Sequence, residues 1–205
     1  MTIGASDTGW YPDNGIHDPS NTNYINGNSG FKNYRSFFYF DLSGLIPAGL
    51  QIEYAKLYAY SYTVTSDNQL ATLYDYVGDQ ASLLDGTGGV GAYDDLGSGT
   101  SYGSRIFNAA DSNTFKAYTL KSNAITALNA ASSGTFVIGA RNSTVAPNDY
   151  VYGFSGGDPS GDVYLDVKLT PGPLPILGAA ATFGYSRKLR RRIHASRSSG
   201  VRTTF

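Results

Sequence analysis

The chain reads as an all-β protein, an antiparallel β-sandwich of jelly-roll type with one short helix, followed by a C-terminal apolar and basic tail. Three observations lead there. Aromatic residues make up 14% of the sequence, with 17 Tyr and 10 Phe, and such side chains suit half-buried pleated faces. The 25 glycines suit frequent turns. About eight to ten runs of strand length follow one another at short spacing between turn signals, the rhythm of a sandwich.

In order, residues 6–29 are rich in Asp, Asn, Gly, Pro and Ser and predict an opening strand near residues 9–11, then a long polar loop. Residues 31–42, FKNYRSFFYFDL, place Phe38 and Phe40 on one face and Phe37 and Tyr39 on the other, which predicts a central strand covered on both sides. Residues 43–49, with Pro47 and Gly49, form a connection. Residues 51–65, QIEYAKLYAYSYTVT, give the strongest strand signal: Ile52, Tyr54, Lys56, Tyr58, Tyr60 and Tyr62 alternate with Glu53, Ala55, Leu57, Ala59 and Ser61. Residues 69–77 predict another strand. Residues 81–100 carry Gly86, Gly88, Gly89, Gly91, Gly97 and Gly99 with few apolar residues and predict a long, mobile loop. Short strands are expected at 104–107 and 114–120. Over 122–131 the period changes, with Ile125 and Leu128 three apart, and Ser122 is the expected cap of a two-turn helix ended by Ser132, Ser133 and Gly134. Residues 135–141 (TFVIGAR) predict a buried strand, 150–155 the next, and 162–169 close the body. No internal repeat appears, and no linker divides the body.

Charge splits the chain. The formal net charge is -1, yet all 16 acids lie at or before Asp166, whereas 7 of the 15 Lys and Arg lie from Arg187 onward. The body is therefore strongly acidic and would repel nucleic-acid phosphates, so the basic end is read as membrane-facing and no nucleic-acid partner is expected. In the tail, Pro171, Pro173 and Pro175 hold the backbone extended. An uncharged segment follows, and then Arg187, Lys188, Arg190, Arg191 and Arg192, the pattern retained on the cytoplasmic side of an inserted apolar segment. The uncharged residues 174–186 would make a helix of about 20 Å, short of a bilayer core about 30 Å thick. Transient membrane association is expected rather than a permanent span; the same residues also read as a short amphipathic or fraying helix.

That ordered triad, PGPLPILGAAATFGYSRKLRRR, resembles the PEP-CTERM tail of bacterial exported proteins and looks most like its cyanobacterial form. Gly172 stands where the family carries Glu, and residues 193–205 continue past the arginines. The resemblance implies a sorting motif at Pro171, Gly172, Pro173, Leu174 and Pro175, an inserted segment over 174–185, and a cytoplasmic stop at Arg187, Lys188, Arg190, Arg191 and Arg192. It also implies an exosortase-like membrane enzyme as partner and a body released to the cell surface or extracellular matrix. An export leader needs a basic region followed by about 7 to 15 apolar residues. Residues 1–11, MTIGASDTGWY, have neither; taken literally that reads as a cytoplasmic chain, and the favoured alternative is that Met1 is a truncated or internal start, with SDTGWY opening a mature domain. A second resemblance covers residues 35–60, RSFFYFDLSGLIPAGLQIEYAKLYAY, which look like the opening of jelly-roll domains found as carbohydrate-binding and surface modules beside polysaccharide lyases. The expected organisation is a sandwich over 1–170, a sorting segment over 171–192 and a disordered basic tail over 193–205.

Candidate chemistry is sparse. There is no cysteine, which excludes disulfides, thiolate catalysis and cysteine-bound metals. Only two histidines occur: His17 in a polar stretch, read as solvated, and His194 in the basic tail. A metal site or nucleophile relay built on histidine is not expected. A glycosidase would need two carboxylates facing one sugar; Glu53, the pair Asp94 and Asp95, and the pair Asp158 and Asp162 are the nearest approach, and the aspartates read equally as turn residues. Residues 156–162 (GGDPSGD, with Asp158 and Asp162) and Asp7, Asp13, Asn14 and Asp18 could supply oxygens to calcium or simply be solvated; no other cofactor is expected. Trp10, Tyr11 and Tyr24, with Tyr93 and Tyr102 beside the glycine-rich stretch, could stack on a pyranose or cover the sandwich edge. Asn142, Ser143 and Thr144 match a glycosylation acceptor. The expected function is therefore a non-enzymatic exported protein of the bacterial surface or polysaccharide matrix. The alternatives are a carbohydrate-binding module working through exposed aromatics and, further off, a polysaccharide lyase or glycosidase.

Overall fold

The computed structural model describes residues 1–143, 146–154 and 158–172. Met1–Thr170 forms one compact unit. It is the antiparallel all-β sandwich of jelly-roll type that the sequence predicts, made of a four-stranded sheet and a larger, curled half-barrel sheet. The smaller sheet has the order β1 (Thr2–Gly4), β12 (Val163–Pro171), β5 (Leu50–Ser61), β9 (Thr114–Thr119). The larger runs β6 (Thr63–Val64), β11 (Tyr150–Gly153), β3 (Tyr24–Ser29), β4 (Lys32–Asp41), β10 (Thr135–Asn142), β7 (Gln69–Asp75), β8 (Ser101–Phe107), with β2 (Asp7–Pro12) also paired to β4.

Strand β4 is covered on both faces, as its sequence predicts. Phe38 and Phe40 enter the main core between the sheets, with Leu57, Leu73, Ile138, Leu165 and Val167. Phe37 points the other way into a second cluster with Tyr11, Leu83, Ala92, Leu96 and Val137. Burying each of these rings contributes about 1.5–3 kcal/mol.

The second cluster corrects one expectation. Residues 81–100 are not a featureless loop but carry two short helices, α1 (Gln80–Leu84) and α2 (Gly89–Asp95). Helices this short have little stability of their own, so their anchors are tertiary. The Asp79 carboxylate caps α1 by accepting from the Ser82 N–H at 2.9 Å. The Tyr11 hydroxyl donates to the Leu83 carbonyl at 2.8 Å, and Asp95 accepts from the Val77 and Gly78 N–H groups, both at 2.8 Å. Gly139 lets α2 approach the sheet, because a Cβ there would lie 2.5 Å from the Leu96 carbonyl oxygen.

Strand β5 departs from simple alternation at its start. Ile52 and Ala55 are both fully buried while Glu53 and Tyr54 both face out, so the phase shifts between them. The side chain of Asn129 explains the local arrangement: it accepts from the Ile52 N–H at 2.7 Å and donates to the Ile52 carbonyl at 2.8 Å. Asn129 lies on α3 (Ser122–Ala130), the helix expected from the change of period, although Lys121 and not Ser122 holds the cap position. From Ala55 on the phase is regular, with Leu57 and Ala59 inward and Lys56, Tyr58 and Tyr60 outward.

Two strands were hidden in segments expected to be loop or unassigned, β1 and β3; a fourth short helix, α4 (Pro159–Asp162), precedes β12. Among the described residues no helix is long and apolar enough to cross a membrane. Of the residues expected to form a sorting motif and basic stop, Pro171 and Gly172 are described; Pro173, Leu174, Pro175, Arg187, Lys188, Arg190, Arg191 and Arg192 lie outside the described residues, as do the 193–205 segment and His194.

Candidate functional site

The outward face of the smaller sheet carries a continuous set of aromatic rings. On β5, Tyr54, Tyr58 and Tyr60 project away from the core because Ala55, Leu57 and Ala59 point into it. On β9, Phe115 is 43% exposed and stands opposite Tyr60 in the strand register. On β12, Tyr164 lies between the buried Val163 and Leu165. Tyr58 and Tyr164 stack with centroids 5.0 Å apart and planes 11° apart. Phe115 sits 5.7 Å from Tyr164 and meets Tyr60 edge-on at 5.2 Å.

Polar groups are interleaved with these rings. The Lys168 ammonium pairs with the Glu53 carboxylate at 2.7 Å, an exposed pair of small energetic worth. Lys56 lies 5.9 Å from the Tyr54 ring. At one end of the face, Tyr54, Asp166, Val167, Lys168, Leu169 and Met1 line an open groove of about 430 Å³. That volume falls within the range of about 300 to 1,000 Å³ typical of small-molecule sites. Partly exposed rings beside charged side chains can hold the apolar face of a ligand while the charges take its hydroxyls.

The sequence had pointed elsewhere. Tyr11 is fully buried beneath α1 and Tyr24 is buried against Phe38, its hydroxyl donating to the Tyr60 carbonyl at 2.6 Å, so neither can stack on an external sugar. Trp10 is half-buried and meets Tyr34 edge-on at 5.2 Å. Tyr102 is buried and stacked on Phe136. Tyr93 is half-buried beneath the Arg35 guanidinium, which lies 4.0 Å from its ring centroid. Asn142 is buried and donates to the Gln69 side chain at 2.7 Å, which removes it as a glycosylation acceptor. The rings that do form a surface were visible as the tyrosine-rich face of β5, but their partners Phe115 and Tyr164 come from strands far away in sequence.

The carboxylates mostly do turn work. Asp158 accepts from the Ser160 N–H at 3.0 Å and its hydroxyl at 2.6 Å, and these bonds hold its pKa below the usual value. Asp162 is pushed up, by burial first and then by Asp158. Asp18 takes the Ser20 N–H and hydroxyl, while Asp13 takes the Asn33 backbone and side-chain amides. Among the described residues no group of three or more His, Asp or Glu side chains is placed to hold a metal ion. Asp94 and Asp95 diverge, the first lying 3.8 Å from Arg35 and the second accepting from Val77 and Gly78.

His17 is not solvated as expected but only 8% exposed, packed against Trp10, Tyr11 and Phe37. Its Nδ1 is buried without a hydrogen-bond partner. The polar composition around it concealed a ring that plugs the edge of the second cluster.

No family model matches the chain, and no curated protein matches it.

Burial lowers the pKa of His17 below 6.5, against the opposing pull of the Trp10 backbone and Asp18. The unfolded chain therefore takes up the proton first as pH falls. The stability this residue contributes is complete above about pH 6.5 and is lost as pH drops toward its lower folded pKa. Urea unfolding of wild type and His17→Phe between pH 7.5 and 5 should show a loss in wild type that the variant lacks. Parallel pH profiles for the two proteins would mean that His17 is not held neutral.

Proposed function

We propose that the protein is a non-enzymatic, exported module of a bacterial surface or extracellular matrix that holds polysaccharide on the aromatic face of its smaller sheet. The observation that carries this reading is the connected set Tyr58, Tyr164, Phe115 and Tyr60, partly exposed on the outside of a rigid sheet. Contiguous exposed apolar patches mark interaction sites. The composition of this one favours sugar over protein, because protein interfaces are depleted of Lys, Glu and Asp at their centres. Here Lys56, Lys168, Glu53 and Asp166 stand among the rings. The likeness of residues 35–60 to carbohydrate-binding and surface jelly rolls supports the same reading.

Affinity electrophoresis through gels containing neutral or acidic polysaccharides tests it. Wild type should be retarded by at least one of them, and the Tyr58→Ala/Tyr164→Ala double variant should bind at least tenfold more weakly while unfolding at a similar urea concentration. Equal retardation of both proteins, or none of either, would remove the reading. So would a wild-type dimer that the double variant dissolves, since the face would then serve self-association.

The export half of the proposal rests on the PEP-CTERM-like tail, with an exosortase-like membrane enzyme as partner. Expression from the gene with its upstream codons in the native host should place the body outside the cell, and exchange of Pro171 and Pro173 for alanine should leave it membrane-bound. Recovery of the unaltered protein wholly from the cytosol would defeat it.

A further inference from the structure

Arg35 on β4 and Arg141 on β10 stand directly opposite each other in the strand register. Like charges in that position destabilise a sheet, so something must justify the pair. Part of the answer is structural. The Arg35 Nη1 donates to the Tyr93 carbonyl at 2.7 Å and the Asp94 carbonyl at 3.0 Å, and the Arg141 Nη1 reaches the Gly97 carbonyl at 3.4 Å. Both side chains thus tie the end of α2 and the residues after it to the sheet. Arg35 keeps its Nη2, and Arg141 its Nε and Nη2, without a hydrogen bond to any described residue.

Arg35 is held unusually firmly. The Tyr93 ring covers one side of its guanidinium at 4.0 Å, and Gly97 closes against it, since a Cβ on Gly97 would lie 2.5 Å from Nε. Its side chain is 13% exposed, its Nε is buried without a partner, and its Nη2 makes no hydrogen bond to any described residue. Among the described residues the carboxylate paired with it is that of Asp94, 3.8 Å away on a 70% exposed side chain, while Asp13, held by the Asn33 amides, acts on the Tyr34 and Tyr93 side of the cleft. Burial, opposed by Tyr93 and reinforced by Arg141, lowers the pKa of Arg35, yet a guanidinium stays charged.

The two arginines open onto a cleft of about 130 Å³ whose other walls are Gly27, Asn33, Tyr34, Tyr93 and Asn142. The hydroxyls of Tyr34 and Tyr93 make no hydrogen bond to any described residue. A space this small is below the size of a site for a whole drug-like molecule; it takes one end group. Guanidinium edges match planar oxyanions, and free phenol hydroxyls beside them match a neighbouring alcohol.

We propose that this cleft binds the carboxylate of a hydroxylated acid, of the kind carried by uronic acid residues, between Arg35 and Arg141. The anion takes guanidinium N–H groups that no described residue accepts from, while the phenols select hydroxyl-bearing acids. The cleft lies on the larger sheet and is independent of the aromatic face on the smaller one.

Titration of the full chain with sodium galacturonate, galactose, sodium sulfate and polygalacturonate, followed by the arginine Nε–Hε resonances in NMR spectra and by thermal unfolding, tests this. Galacturonate should shift the resonances of Arg35 and Arg141 and raise the melting temperature, and galactose should do neither. Tighter binding of polygalacturonate per residue would assign the acid to a polymer, equal binding to a free acid, and either supports the site. Arg141→Gln, which removes the like-charge neighbour, should keep or raise the melting temperature of the ligand-free protein while weakening galacturonate at least tenfold. Sulfate binding as tightly as galacturonate, unshifted arginine resonances, or full affinity in a folded Arg141→Gln protein would each overturn the assignment. The Tyr58→Ala/Tyr164→Ala protein should bind galacturonate normally, so failure here and failure of the aromatic face are read separately.

Discussion

Burial of β4 on both faces is the constraint on which the rest of the molecule depends. Phe38 and Phe40 tie the strand to the core between the sheets, and Phe37 ties it to the covering segment that contains α1 and α2. An antiparallel strand commonly leaves one face to solvent, whereas this one spends both on packing. The covering segment therefore has a hydrophobic floor, and its short helices persist because Leu83, Ala92 and Leu96 are buried on that floor. Gly139 and Gly97 make the close approach feasible, the first under the Leu96 backbone and the second against Arg35.

This arrangement makes the two sheets unlike. The larger sheet has part of its outer surface occupied by the covering segment, and at the margin of that segment the Arg35 and Arg141 cleft opens. The smaller sheet has no comparable cover among the described residues over Tyr58, Tyr60, Phe115 and Tyr164. Its inward positions on β5 are Ile52, Ala55, Leu57, Ala59 and Ser61, aliphatic or small side chains that fit beneath α3 and the opposite sheet. The tyrosines of the same strand are left for the outside. Aromatic rings held on a hydrogen-bonded sheet lose little further freedom on meeting a ligand, which is the condition under which stacking gives affinity.

Much of the framework was legible in the sequence, and the reasons differ for what was not. The alternation in residues 31–42 and 51–65 revealed β4 and β5, and the change of period after Ser122 revealed α3, because those signals are local. Strand β3, YINGNS, escaped since its residues are mostly polar and its pairing with β4 and β11 is what makes it a strand. The helices α1 and α2 escaped because the glycines between them and within α2 signal a loop and because their stability is tertiary. Tyr11, Tyr24 and His17 lay in polar surroundings that suggested exposure, yet each is drawn inward by a partner distant in sequence: Leu83, Tyr60 and Phe37. The aromatic face was half visible in β5, whereas the opposition of Arg35 and Arg141 required the register of two strands about a hundred residues apart, which no local pattern encodes.

Hydrogen exchange followed residue by residue in the full chain tests the central claim most directly. If β4 is the element on which both clusters depend, the amides of Phe37, Phe38 and Phe40 should be among the slowest to exchange and should respond to low urea only as the whole body unfolds. The amides of α1 and α2 should open more readily, since the helices rest on β4 and not the reverse. Exchange from β4 as fast as from the margin strands β1 and β6, or opening of β4 while the smaller sheet stays protected, would contradict the account.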